Sequence, residues 1–179
     1  MEKEAPQFYS SAEQKKYINP LLNKIIGKHQ QNKTTIIGIQ GGQGTGKTTL
    51  VQFLQGQLQE KRYSVESFSI DDFYTSYPER QQLVLKYPEN PFYQISRGMP
   101  GTHRVKELMQ TLKNIKAGKH FMIPFFDKSL HQAQGDIAGE RIITKKIDFL
   151  LFEGWCVGLP VVSGKKLQHI CKKNKIFLP

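Results

Sequence analysis

The run Gly41-Gly42-Gln43-Gly44-Thr45-Gly46-Lys47-Thr48 constrains this chain more than any other feature. It satisfies the GxxxxGK[ST] spacing, and its flanks supply the context the spacing needs. Before it, Thr34–Gln40 reads as a strand, because Thr34, Thr35, Ile36, Ile37 and Ile39 are β-branched. The near-continuous apolar character of that strand suggests parallel pairing with both faces covered. After it, Thr48–Gln59 reads as a helix with Leu50, Phe53, Leu54 and Leu58 on one side. Glycines in such a loop permit positive φ angles, so successive backbone N–H groups turn inward and form an anion nest. The following helix adds its positive end. Lys47 is placed to reach β- and γ-phosphates, the Thr48 hydroxyl to ligate Mg²⁺, and Thr49 completes the expected phosphate-binding set.

The remaining elements alternate in a way that argues for an α/β fold with right-handed crossovers. Ser10–His29 has Ile18, Leu21, Leu22, Ile25 and Ile26 at helical spacing, with Ser10 or Ser11 as cap and Pro20 as a bend or a later start. Arg62–Ile70 reads as a second strand and Ile147–Phe152 as a third. A short helix is expected around Glu79–Lys86 and a clearer one over Thr102–Lys116, stopped by Gly118. Ile123–Gly139 reads as a long polar connection, a feature often functional inside compact domains. The expected architecture is a P-loop NTPase-type parallel sheet with flanking helices, in three αβα layers. Residues 1–33 form an N-terminal helical segment, 34–163 the core, and 164–179 a basic, poorly ordered tail.

In open α/β sheets, ligands bind beyond the carboxyl ends of the strands. The second strand ends in Asp71-Asp72 and the third in Glu153. Phosphoryl transfer needs a group to take the acceptor's proton and a cation to spread charge. Asp71 is the candidate base, with Asp72 beside it or capping the next segment. Glu153 suits a Mg²⁺-water ligand or a base, and Trp155 either stacks on a ligand or packs half-buried.

Composition narrows the partners. The net charge is +11, from 26 Lys and Arg against 15 Asp and Glu. Much of that excess is terminal: Lys165, Lys166, Lys172, Lys173 and Lys175 sit together without an acid among them. A solvated basic tail therefore explains the charge better than a nucleic-acid surface does. Cys156 and Cys171 have neither disulfide-framework nor zinc spacing. No apolar run approaches the ~18 residues of a membrane span, and Met1–Pro6 lacks a basic-then-apolar leader. A cytoplasmic setting without a membrane partner is the expectation.

Four further segments carry a family resemblance. Ser69-Ile70-Asp71-Asp72-Phe73-Tyr74, Arg97-Gly98-Met99-Pro100-Gly101-Thr102-His103, Phe126-Asp127-Lys128-Ser129 and Phe152-Glu153-Gly154-Trp155 occur in the order of one family. Over about residues 34–163 the chain resembles the P-loop D-glycerate 3-kinases of plants and cyanobacteria, within the phosphoribulokinase and uridine kinase superfamily. The resemblance implies transfer of the ATP γ-phosphate to the 3-hydroxyl of D-glycerate, with Mg²⁺, and Asp71 as base. It places Asp72, Tyr74, Arg97, His103, Asp127 and Lys128 around the anionic acceptor. Three positions depart from its pattern: Arg104 stands for an acid, and Phe125 and Ile137 stand for arginines. These departures make a relative that binds ATP with little transfer the first alternative, and a uridine-kinase-like enzyme with another acceptor the second. Related kinases also continue past the Phe152–Trp155 segment with further strands and an arginine-bearing lid, which Val161–Pro179 does not match. The expected sheet therefore lacks its last strands, the strand before the glycine-rich loop becomes an edge, and a second chain is a possible source of the missing pairing.

Overall fold

The computed structural model describes residues 8–94, 97–99 and 101–174. Three parallel strands form its central sheet: β1 (Thr35–Gln40), β2 (Val65–Ser69) and β5 (Phe149–Gly154), in the order β1–β5–β2. The register pairs Thr35 with Phe149 on one side and Val65 with Phe149 on the other. β5 is the strand buried on both faces; Phe149, Leu150 and Leu151 are inaccessible to solvent. β1 is less covered than its apolar sequence suggests. It pairs only with β5 among the described residues, and Gly38 and Gln40 are exposed.

The alternation of β5 builds two cores. Phe149 and Leu151 face one side, where Ile18, Leu22 and Ile25 of the N-terminal helices join Val51, Leu54 and Leu58 of α3 (Lys47–Glu60). The N-terminal segment is a short α1 (Ser11–Glu13), a π-helical stretch (Gln14–Ile18) and α2 (Asn19–Ile26), with Ser10 and Glu13 forming a reciprocal capping box. Leu150 faces the opposite side, with Phe68, Phe73, Leu108 and Ile115. That layer contains α5 (Val105–Lys116). Val105 and Met109, expected on its apolar face, are about half exposed. Met109 and Leu112 line a groove of about 500 Å³ with Thr34, Ile36 and Phe152 beside the outer edge of β1.

Two expectations are corrected. The stretch Ile123–Gly139 is not a polar connection but most of an antiparallel hairpin, β3 (Phe121–Asp127) and β4 (Asp136–Ile143). Pro124 and the solvent exposure of most of β4 hid its strand pattern. Residues 164–174 of the expected poorly ordered tail form α7 (Gly164–Asn174), with Cys171 buried; 175–179 lie outside the described residues. Both cysteines are free thiols. The described chain also contains α4 (Tyr77–Lys86), a tight left-handed turn α6 (Leu130–Ala133), and 3₁₀ turns at Ile70–Phe73 and Pro91–Gln94. No helix among the described residues is long and apolar enough to cross a membrane.

Candidate active site

The glycine-rich loop leaves β1 at Gln40 and enters α3 at Lys47. Gly44 (φ +72°) and Gly46 (φ +77°) take left-handed conformations that turn the backbone inward, as the spacing predicts. Gly41 lacks a side chain for a different reason, since a Cβ there would stand 2.8 Å from Thr45 Oγ1. Thr45 Oγ1 and Lys47 Nζ both donate to the Gly42 carbonyl, at 2.8 and 2.7 Å. Gln43 lies exposed in the loop and Thr49 half-buried on α3. At the first turn of α3, Thr48 Oγ1 donates to Glu153 Oε1 at 3.0 Å. Glu153 sits at the end of β5 and is buried. The two residues expected at the metal are therefore brought together where α3 begins beside the end of β5. A hydroxyl and one carboxylate are hard oxygen donors that fit Mg²⁺, which usually binds through one or two carboxylates plus substrate phosphates.

Beyond β2 the chain enters a 3₁₀ turn, Ile70–Phe73. Asp72 Oδ2 accepts from the Ser69 N–H at 2.8 Å, while Ser69 Oγ accepts from the Asp71 N–H at 3.2 Å. Asp72 is thus first a capping residue; burial pushes its carboxyl upward, and this backbone hydrogen bond opposes the shift. The cap leaves the Asp71 carboxylate free to meet Lys128 Nζ at 2.7 Å. Lys128 comes from the turn after β3, so the third and first motifs of the resemblance touch.

These groups open onto one cleft of about 680 Å³. Thr48, Glu153, Asp71, Asp72 and Lys128 line it, with Phe125 and Arg141 from the hairpin. Tyr74, Arg97, His103 and Asp127 are outside this lining, and so are Gly41–Lys47 and Thr49, so that of the glycine-rich motif only Thr48 reaches it. Tyr74 is buried behind Asp71, its ring 4.3 Å from that of His103. Burial first, then the Asp71 charge and hydrogen bond, push the Tyr74 phenol well above its ordinary range. Burial lowers the pKa of His103, against a smaller opposing pull from Asp71, and His103 Nε2 is buried without a hydrogen-bond partner. Arg97 Nη1 donates to the Ala133 carbonyl at 2.7 Å. Asp127 Oδ1 accepts from the Ser129 N–H and hydroxyl at 2.8 and 2.7 Å, so it shapes the turn that carries Lys128. Pro100 lies outside the described residues. Trp155 is 45% exposed and also outside the lining.

The turn beside Lys128 is strained. His131, Gln132 and Ala133 are consecutive left-handed residues with φ of 50°, 56° and 65°, a conformation that costs roughly 1 kcal/mol or more for each non-glycine residue. Buried Arg80 offsets this by donating to the carbonyls of Thr75, Gln134 and Gly135, tying α4 to the turn. Tyr77 stacks on His131 at 4.1 Å, and Asp136 accepts from the Tyr77 N–H at 2.8 Å. Sequence reasoning missed Arg80 because a helical arginine reads as solvated. It missed Arg141 because the hairpin was not recognised.

The three departures have different consequences. Arg104 turns away from the cleft. Its Nε donates to the Tyr74 carbonyl at 3.1 Å and its Nη1 pairs with Glu107 at 2.6 Å, bracing the start of α5. Phe125 lines the cleft and is 59% exposed. Ile137 lies opposite Phe126 across the hairpin, outside the cleft lining.

Comparison with known proteins follows the same lines. The model of the phosphoribulokinase / uridine kinase family matches residues 36–160. An uncharacterized kinase of Schizosaccharomyces pombe, mug58, is 39% identical over 144 residues, covering 77% of this chain and 52% of that protein. The chloroplastic D-glycerate 3-kinase of Arabidopsis thaliana is 32% identical over 142 residues, covering 75% of this chain and 31% of that protein. Among solved structures, a D-glycerate 3-kinase from Cryptococcus neoformans superposes with a TM-score of 0.69 at 26% identity, covering 89% of this chain and 57% of that one. The chain thus spans about half or less of the length of these two curated relatives. It belongs to the phosphoribulokinase / uridine kinase family.

Proposed function

We propose that this family member carries the phosphate-binding and acceptor-facing part of an ATP-dependent kinase, with D-glycerate as acceptor and 3-phosphoglycerate as product. The observation that carries the reading is convergence: Thr48 from the start of α3 with Glu153 from the end of β5, and Asp71 with Lys128 from the other side, open onto a single cleft. The named relatives include D-glycerate 3-kinases, which supports the choice of acceptor.

The residues divide the work. Backbone N–H groups of Gly41–Thr48 cradle the phosphate chain, and Lys47 swings from the Gly42 carbonyl onto the β- and γ-phosphates. Thr48 and Glu153 would hold Mg²⁺, which when bound neutralises charge on the transferring phosphoryl. Asp71 takes the proton of the acceptor hydroxyl as its oxygen bonds to the γ-phosphorus and the bond to ADP breaks. Lys128, released from Asp71, then faces the oxygens of the phosphoryl or the acceptor. Tyr74 and His103 stand behind Asp71 and hold its position.

Phe125 at the cleft favours a second reading, ATP binding with little transfer, because an apolar ring stands where the resemblance expects a cation. An acceptor panel separates the readings: ADP release with ATP and Mg²⁺ in the presence of D-glycerate, uridine or pantothenate. The proposal expects release with D-glycerate alone. Equal background release with every acceptor, together with intact ATP binding, would select the second reading.

A further inference from the structure

In the β3–β4 register Arg141 pairs with Ile123 and Gly139 with Phe125, so these four residues share one face of the hairpin, and all four line the cleft. Gly139 brings no side chain to that face. The polar reach of the hairpin strand into the cleft therefore falls to Arg141 and its neighbour Glu140. The Arg141 side chain is half exposed. Its Nη1 pairs with Glu66, and its Nη2 donates to the Ser67 carbonyl at 3.1 Å. Its other N–H groups have no protein partner among the described residues. Glu66 is buried on β2. A carboxylate beneath the guanidinium fixes its plane in advance and leaves the rest of the fork toward the cleft, the geometry that suits a planar carboxylate.

We propose that Arg141 is the specificity-determining residue for the acceptor's charge: it receives the carboxylate of a small hydroxy acid, with Lys128 as the second cation of the cleft. This rests on the reading that the cleft takes the acceptor. It adds a residue that none of the motif segments contains, and it explains how a cleft with Phe125 on its wall can still select an anion. Both cations are held in ion pairs, Lys128 with Asp71 and Arg141 with Glu66. An entering anion therefore shares a cation already in place.

The competing role is a brace, in which Arg141 only ties the hairpin to β2. Binding constants decide between the two. D-glycerate is titrated into the ATP-loaded wild type, Arg141→Gln and Arg141→Lys, with glycerol as the uncharged control and ATP affinity as a check. The proposal expects Arg141→Gln to weaken D-glycerate binding by about tenfold or more, Arg141→Lys to restore part of it, and glycerol and ATP binding to stay unchanged. Unaltered D-glycerate affinity in folded Arg141→Gln would make Arg141 a brace and overturn the proposal. Absence of D-glycerate binding to the wild type would overturn it too. If the wild type binds D-glycerate through Arg141 yet makes no phosphoglycerate, the kinase reading fails and this inference stands. Should Arg141→Gln not fold, Glu66→Gln gives an independent test: losing the carboxylate that holds the guanidinium plane is expected to weaken D-glycerate binding with glycerol and ATP binding unchanged, and unaltered D-glycerate affinity would contradict the proposal.

Discussion

The glycine-rich loop, which reaches the cleft through Thr48, and the far wall of the cleft are built by opposite means. The glycine-rich loop is contiguous: eight successive residues take a conformation dictated locally by glycines at positive φ and by the strand and helix on either side. The wall facing it is assembled from distant pieces. Asp71 comes after β2, Lys128 from the hairpin turn and Arg141 from β4, and that turn is held by Arg80 of α4 and Arg97 of a separate loop. The lesson is that a phosphate site can be written in one stretch of chain. The acceptor site proposed for the cleft would depend on register and on buried braces, so it should be the easier one to break from a distance.

The largest effect that would sharpen this contrast is on chemistry alone. Asp71→Asn should lower transfer by roughly 10²–10⁴-fold with ATP affinity unchanged, as single-turnover and binding measurements would reveal. Full turnover in this variant would remove Asp71 as the base. Lys47→Ala should do the reverse, weakening ATP binding by on the order of 100-fold or more while leaving the acceptor wall intact; calorimetric titration reads it. Gly135→Val should strike the acceptor wall through its brace. Gly135 has φ +75° and a Cβ there would lie 2.4 Å from the Phe126 ring, so a loss of about 3 kcal/mol in denaturant unfolding is expected. ATP affinity of the folded fraction should hold.

A smaller effect follows from His103. Burial lowers its folded-state pKa below the unfolded value. Above the unfolded pKa the ring is neutral in both states and costs nothing. As pH falls through that value the unfolded chain gains a proton that the native ring resists, so stability is lost on the acid side. His103→Phe should flatten the fall in melting temperature between about pH 7 and pH 5; an unchanged slope would assign the acid sensitivity to other groups. The smallest structural effect belongs to Phe125→Arg, since the ring is 59% exposed. Its stability should shift by no more than about 0.5 kcal/mol, while D-glycerate turnover should rise if the apolar wall limits transfer.

How much of this was legible in sequence follows the same division. The loop, α3 and the Thr48–Glu153 pair were readable, because the motif is local and both strand ends are marked by sequence. Asp71 was readable from its place at the end of β2. The hairpin was not, because Pro124 interrupts β3 and β4 is largely exposed, so neither shows the alternation of a half-buried strand. Arg80 and Arg141 look like ordinary surface cations until the fold buries one and turns the other into the cleft. Asp72 and Asp127 show the converse. Both sit inside motif segments, yet their carboxylates spend their hydrogen bonds on Ser69 and Ser129, shaping the backbone that carries Asp71 and Lys128.

The most direct test of the two-walled cleft is a stepwise titration followed by backbone amide resonances, adding ATP with Mg²⁺ first and D-glycerate second. The account predicts that the first addition shifts Gly41–Thr48 and Glu153, and that the second shifts Asp71, Lys128 and Arg141 with little further change in the loop. Displacement of D-glycerate signals to a surface away from the hairpin, or shifts of the loop alone in both steps, would contradict it.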